Sequence, residues 1–88
     1  MTITAEISLY PLVADYESVI INFINSIKLD SSLKVTTHAM STYVRGENKM
    51  VFDAISKALE VSNKEVETLS LVIKLINRDL PVEKKLEF

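Results

Sequence analysis

The sequence predicts one α+β domain in the order βαββαβ, with a four-stranded antiparallel sheet and both helices on one face. Three observations carry this. Residues 3–10 alternate with period two, two later stretches repeat apolar residues with a period near 3.6, and β-branched residues cluster between and after those stretches. A chain of 88 residues has room for one domain. The expected boundaries are 1–88, with a core of 3–76 and a charged tail of 77–88.

In the opening segment Ile3, Ala5, Ile7 and Leu9 are apolar, while Thr4, Glu6, Ser8 and Tyr10 are polar or amphipathic. That is the pattern of a half-buried strand, which Pro11 is expected to end because proline cannot donate to a ladder. Asp15 is placed to cap a following helix through its carboxylate. Val19, Ile20, Phe23, Ile24 and Ile27 then form one helical stripe. Asp30-Ser31-Ser32 closes the helix with turn-forming side chains.

Leu33–Thr37 and Thr42–Arg45 read as two strands rich in β-branched and aromatic residues. Between them His38-Ala39-Met40-Ser41 lacks an Asn-Gly or Asp-Gly signal, so an extended or bulged crossover is expected. Gly46, the one glycine, is expected to end the pair at a position of positive φ. A second helix opens at Glu47-Asn48, turns Met50, Val51, Ala54, Ile55, Ala58 and Leu59 inward, and stops at Ser62-Asn63. Residues 67–76 make the last strand. Its Leu69, Leu71, Ile73 and Leu75 are expected to meet the helices, opposite Thr68, Ser70, Val72, Lys74 and Ile76. Pro81 and Val82-Glu83-Lys84-Lys85 belong to the tail, with a short helix as one option. Two strand–helix–strand units close best as a split βαβ sheet with right-handed crossovers. The first and last strands are then expected each to border one of the middle two.

Composition narrows function. Ten basic against twelve acidic residues give a net charge of -2, which argues against nucleic-acid binding. No apolar run reaches the ~20 residues of a membrane span, and the N-terminus lacks the basic start of a signal peptide. A cytoplasmic location is the expectation. The chain has no cysteine, which removes thiolate catalysis and zinc–thiolate sites. One histidine and no close carboxylate pair fit no usual metal set. His38 has no clearly placed acid to orient it toward Ser8 or Ser41, with Glu6 the sole candidate. A small enzyme using His38 therefore ranks last, and no catalytic residue is assigned.

The helices can cover only one side of the sheet. The other side carries Thr4, Glu6, Ser8 and Tyr10, with Thr68, Ser70 and Val72. If Val44 packs inward, Thr42 does too and Tyr43 faces outward. Three readings of this face remain open: a solvated surface, a surface that pairs with a copy of itself, and a site for a small polar heterocycle held by stacking and hydroxyls.

Two blocks of sequence add a resemblance. Ser8-Leu9-Tyr10-Pro11-Leu12, followed by Tyr16 and Val19-Ile20, resembles the opening of the YkoF-type thiamine/hydroxymethylpyrimidine-binding domains. His38-Ala39-Met40-Ser41-Thr42-Tyr43-Val44-Arg45-Gly46, then Val51-Phe52-Asp53-Ala54, is similar to their central segment. The resemblance spans residues 3 to 76. It implies a ferredoxin-like fold and non-catalytic binding of thiamine or its hydroxymethylpyrimidine moiety, as carrier, scavenger or sensor, with no resident cofactor. It points to Ser8, Tyr10, His38, Met40, Ser41 and Thr42 as ligand contacts. Glu6 is added from chemistry, since a carboxylate accepts from an aminopyrimidine or offsets a thiazolium charge. YkoF resembles two such domains in tandem, whereas this chain has one; a homodimer or homotetramer would supply the second copy. The alternative is a homo-oligomerisation module with no small ligand.

Overall fold

The computed structural model describes residues 1–81. In chain order the elements are β1 (Thr2–Pro11), α1 (Tyr16–Lys28), β2 (Lys34–Thr37), β3 (Thr42–Glu47), α2 (Asn48–Asn63) and β4 (Leu69–Ile76). They form one antiparallel sheet in the order β2-β3-β1-β4, the ferredoxin-like α+β arrangement. The charged stretch 82–85, for which a short helix was one option, lies outside the described residues.

β1 is central, paired with β3 on one side and β4 on the other. The last strand therefore borders the first, not a middle strand as expected from the sequence. A right-handed crossover carries each β-α-β unit over its neighbour, so β3 enters beside β1 and β4 is left the far edge. Ile3, Ala5, Ile7 and Leu9 are buried against Val19, Phe23 and Ile27 of α1 and Val51, Ala54, Ile55 and Ala58 of α2. Phe23 is almost fully enclosed, which contributes about 2–3 kcal/mol. The registers Ala5↔Val44 and Ile7↔Thr42 put Val44 and Thr42 on the helix side, and Glu6↔Tyr43 puts Tyr43 on the open side.

β1 ends at Pro11, as the sequence predicts, with Pro11 its last residue paired to β4. The Leu12 N–H donates to the Thr68 carbonyl at 3.0 Å, in register with Pro11↔Leu69. The even-numbered residues of β1 therefore bond to β4, and the nitrogen of Pro11 points to the other side. There β3 has already ended, at Ile7↔Thr42, so no ladder bond is lost.

Asp15 precedes α1 but makes no side-chain cap hydrogen bond. Its ψ of 55° departs from the extended backbone that aims a cap side chain at the helix N–H groups. Asp30 does act as the turn expected after α1: one carboxylate oxygen accepts from the Ser32 N–H at 2.9 Å and the Ser32 hydroxyl at 2.6 Å. The two bonds hold its carboxyl below the usual carboxylate range.

Residues 38–41 are a tight hairpin loop and not a crossover. The His38 N–H donates to the Ser41 carbonyl at 2.8 Å, next to the pair Thr37↔Thr42. No residue of this loop has positive φ, which is why it needs no glycine or asparagine.

Gly46 lies within β3, one residue short of its end, and its φ is not positive. The reason for glycine is close approach: a Cβ there would meet the Leu33 Cδ2 at 2.5 Å. β4 also departs from expectation. Leu69 and Leu71 pack on the core, but Ile73 and Leu75 stay 39% and 41% exposed. The helices make their close approaches to β1, β2 and β3, and of β4 Leu69 and Leu71 are the residues that pack against the core.

Residues following β4 turn back over the open face. The Thr4 hydroxyl donates to the Arg78 carbonyl at 2.8 Å and accepts from the Leu80 N–H at 2.9 Å. Arg45 Nε meets the Asp79 carboxylate at 2.7 Å. Thr4 is buried as a result.

The Gly46–Leu33 contact makes a testable coupling. Gly46→Ala should cost about 1–2 kcal/mol by crowding Leu33. In a Leu33→Ala background the same change should cost close to nothing. A double-mutant cycle in urea checks this; additive costs would show that the contact is not what demands glycine.

Candidate functional site

A cavity of about 330 Å³ opens between the hairpin and the start of α1. Three segments line it. The end of β1 contributes Ile7 to Pro11, α1 contributes Tyr16, Ile20 and Ile24, and the hairpin contributes Thr37 to Thr42. The volume lies in the range of small-molecule sites, as does the mixture of an apolar wall with a few hydroxyls.

Six of the seven residues singled out from sequence line this one cavity: Ser8, Tyr10, His38, Met40, Ser41 and Thr42. They reach it from both sides of the sheet. Thr42 shares the helix side with Ile7 and is buried, its Oγ1 lying 3.3 Å from the Thr37 hydroxyl. Ser8 and Tyr10 alternate to the open side, where Tyr10 is 54% exposed. The cavity thus sits at the sheet's end, under the hairpin, and not on the open face proper. Met40 forms the exposed tip of the hairpin.

Glu6 does not line the cavity. Its carboxylate accepts from the Ser41 hydroxyl at 3.3 Å and from the Tyr43 phenol, opposite which it sits in register. The His38 ring meets Tyr43 edge-on, with centroids 4.9 Å apart. Glu6 is therefore a tether: it holds Ser41 directly and His38 through Tyr43, fixing the hairpin over the cavity. The hydrogen bond to Glu6, then its negative charge, then burial push the Tyr43 phenol above its usual range.

The apolar wall was not assigned to the site from sequence. Ile20 and Ile24 belong to the helical stripe, yet the fully buried members of α1 are Val19, Phe23 and Ile27. Ile20 and Ile24 lie on the stripe's margin, half-buried, and face the cavity. A stripe two residues wide at each turn is the one available signal, since a narrower stripe would cover the sheet alone. Thr37 also escaped notice, as the cross-strand partner of Thr42.

The family model described as YKOF-related Family matches residues 2–77, and so contains every residue of this cavity. The chain belongs to the YKOF-related family. Among curated proteins nothing matches the chain. Solved structures agree on the fold. A hypothetical protein of Methanocaldococcus jannascii is 27% identical with a TM-score of 0.78, over 89% of this chain and 81% of that one. A Streptococcus pneumoniae protein is 21% identical with a TM-score of 0.84, over 96% and 100%. A Thermotoga maritima protein, provisionally named for thiamine biosynthesis/salvage, is 19% identical with a TM-score of 0.77, over 98% and 90%.

The tether carries a pH signature. A raised folded pKa means that Tyr43 contributes its stability fully below the ordinary phenol value of about 10. That contribution is lost as pH rises through the higher folded value. Glu6→Gln should bring the Tyr43 titration back down, read by ultraviolet absorbance against a Tyr43→Phe control. An unchanged titration would rule out the Glu6–Tyr43 bond.

Proposed function

We propose that this family member binds thiamine or its hydroxymethylpyrimidine moiety without transforming it, as a cytoplasmic carrier, scavenger or sensor. The observation that carries the reading is convergence. Two separated sequence blocks, each resembling the YkoF-type domains, meet at a single cavity of suitable size. The name of the Thermotoga maritima relative supports the same ligand class.

The chemistry of the lining fits an aminopyrimidine. Ile20, Ile24 and Leu9 offer a flat apolar wall, Tyr10 and Tyr16 offer rings at its rim, and Thr42, Ser41 and Thr37 offer hydroxyls that both donate and accept. Glu6 acts one residue behind that lining, through Ser41. Ser8, Tyr10, His38, Met40, Ser41 and Thr42 are the proposed contacts, with Glu6 positioning the hairpin.

Among the described residues no Lys or Arg belongs to the lining, so a phosphate would find no cationic partner among them. The preferred ligands are therefore unphosphorylated. A thiamine-sized ligand of ~18 heavy atoms at ~0.4 kcal/mol each gains about 7 kcal/mol, or micromolar affinity. That strength suits exchange and release. The half-exposed apolar residues of β4 favour self-association as a second property of the chain, and a module of that kind needs no ligand.

Calorimetry with thiamine, hydroxymethylpyrimidine and thiamine diphosphate tests the proposal. One of the first two should bind at micromolar concentration, and the diphosphate at least about tenfold more weakly. Thr42→Val, which keeps shape and removes the hydroxyl, should weaken binding by about tenfold with the melting temperature little changed. Silence with all three compounds at millimolar concentration would refute ligand binding.

A further inference from the structure

The open face of the sheet carries a second hollow, apart from the cavity under the hairpin. Its volume is about 180 Å³, and Thr4, Glu6, Tyr43, Lys74, Ile76 and Leu80 line it. None of these six lines the other cavity. β1 supplies Thr4 and Glu6, β3 supplies Tyr43, and β4 supplies Lys74 and Ile76. Leu80 comes from the segment that turns back over the face. The Thr4 hydroxyl pins that segment at Arg78 and Leu80, and Arg45 pins it at Asp79. An apolar wall is thereby fixed beside a charged floor.

The two charges on that floor stand apart. Glu6 and Lys74 are register partners on one face, a placement that ordinarily gives a cross-strand ion pair. Yet among the described residues Lys74 makes no hydrogen bond or ion pair. Strand parity supplies the reason. The Asn48 N–H donates to the Met1 carbonyl, next to Thr2↔Glu47, so the odd-numbered residues of β1 bond to β3. The even-numbered ones bond to β4. Glu6 and Tyr43 are thus a non-hydrogen-bonded pair with Cα atoms ~4.5 Å apart, while Glu6 and Lys74 are a hydrogen-bonded pair at ~5.5 Å. The carboxylate leans to the nearer strand, where it accepts from Tyr43 and Ser41. An ionised carboxylate has about four acceptor sites, so these two bonds leave capacity for another donor.

We infer that this hollow binds a small free α-amino acid with an aliphatic side chain. The ammonium group of the ligand donates to Glu6, its carboxylate accepts from Lys74, and its side chain lies against Ile76 and Leu80. A molecule carrying both charges is what the floor selects. A simple anion on Lys74 meets the negative charge of Glu6, and a simple cation on Glu6 meets the positive charge of Lys74. A ligand of about eight heavy atoms in so open a hollow reaches a dissociation constant on the order of 1 mM. That strength suits sensing of a free pool and not retention.

Titration with L-valine, followed by amide chemical shifts in two-dimensional NMR, tests the site. The Glu6, Lys74 and Leu80 signals should move together, with a dissociation constant on the order of 1 mM. Isobutyrate lacks the ammonium group and isobutylamine lacks the carboxylate; each should bind at least about tenfold more weakly. Lys74→Gln should weaken valine binding by at least about tenfold, with the melting temperature and the heat of thiamine binding unchanged. Equal affinity for valine and isobutyrate would make the hollow a simple anion site and overturn the inference. So would a Lys74→Gln protein that binds valine like its parent, or amide signals that stay still up to ~20 mM valine. Hollow and cavity share no lining residue, so the amino-acid and thiamine readings fail separately.

Discussion

The register of β1 between β3 and β4 is the constraint on which the rest of this structure depends. As the central strand, β1 has both rows of side chains and both rows of backbone groups committed. Ile3, Ala5, Ile7 and Leu9 go to the core, and Glu6, Ser8 and Tyr10 go to the open side. A slip of one residue would exchange these sets and bury the Glu6 carboxylate among Val19, Phe23 and Val51, at a cost of several kcal/mol. The same register seats Thr42 beside Ile7 and Tyr43 beside Glu6. It thereby fixes which hydroxyl enters the cavity and which ring braces the hairpin.

The site follows from what this sheet cannot finish. β1 runs on to Pro11, but its pairing with β3 ends at Thr42. Between the overhanging strand, the hairpin and the start of α1 there is more space than side chains to fill it. Polar groups border the space without being consumed by the core, and Ser41 is the clearest case, tied to Glu6 on one side and lining the cavity on the other. Small-ligand sites arise where regular packing stops and backbone and hydroxyl groups are left with spare capacity. The far edge shows the same logic with apolar groups: the two helices bury the inward rows of β1 and β3 and leave β4 half wrapped.

Much of the fold is legible in the chain because its segments obey short-range rules. The alternation of 3 to 10 has one period and the stripe from Val19 to Ile27 another, and each tolerates a single backbone geometry. The misreadings cluster where a residue's role depends on something distant. Gly46 reads as a turn residue until Leu33 is placed against it. Ile73 and Leu75 read as core until the helices prove too narrow to reach them.

The sequence by itself determined the element types, their order, the inward row of β1 and, through two blocks of residues, the family. Periodicity and composition suffice for the first three, because neighbours along the chain set them. The tertiary structure decided that Ser8 and Tyr10 come within one cavity of His38, Met40, Ser41 and Thr42, which lie some thirty residues later. It also gave Glu6 its place as a tether and left β4 at an open edge. Those outcomes rest on which strands become neighbours. That choice is made by crossover handedness and by burial summed over the whole core, and no local stretch of the chain contains it.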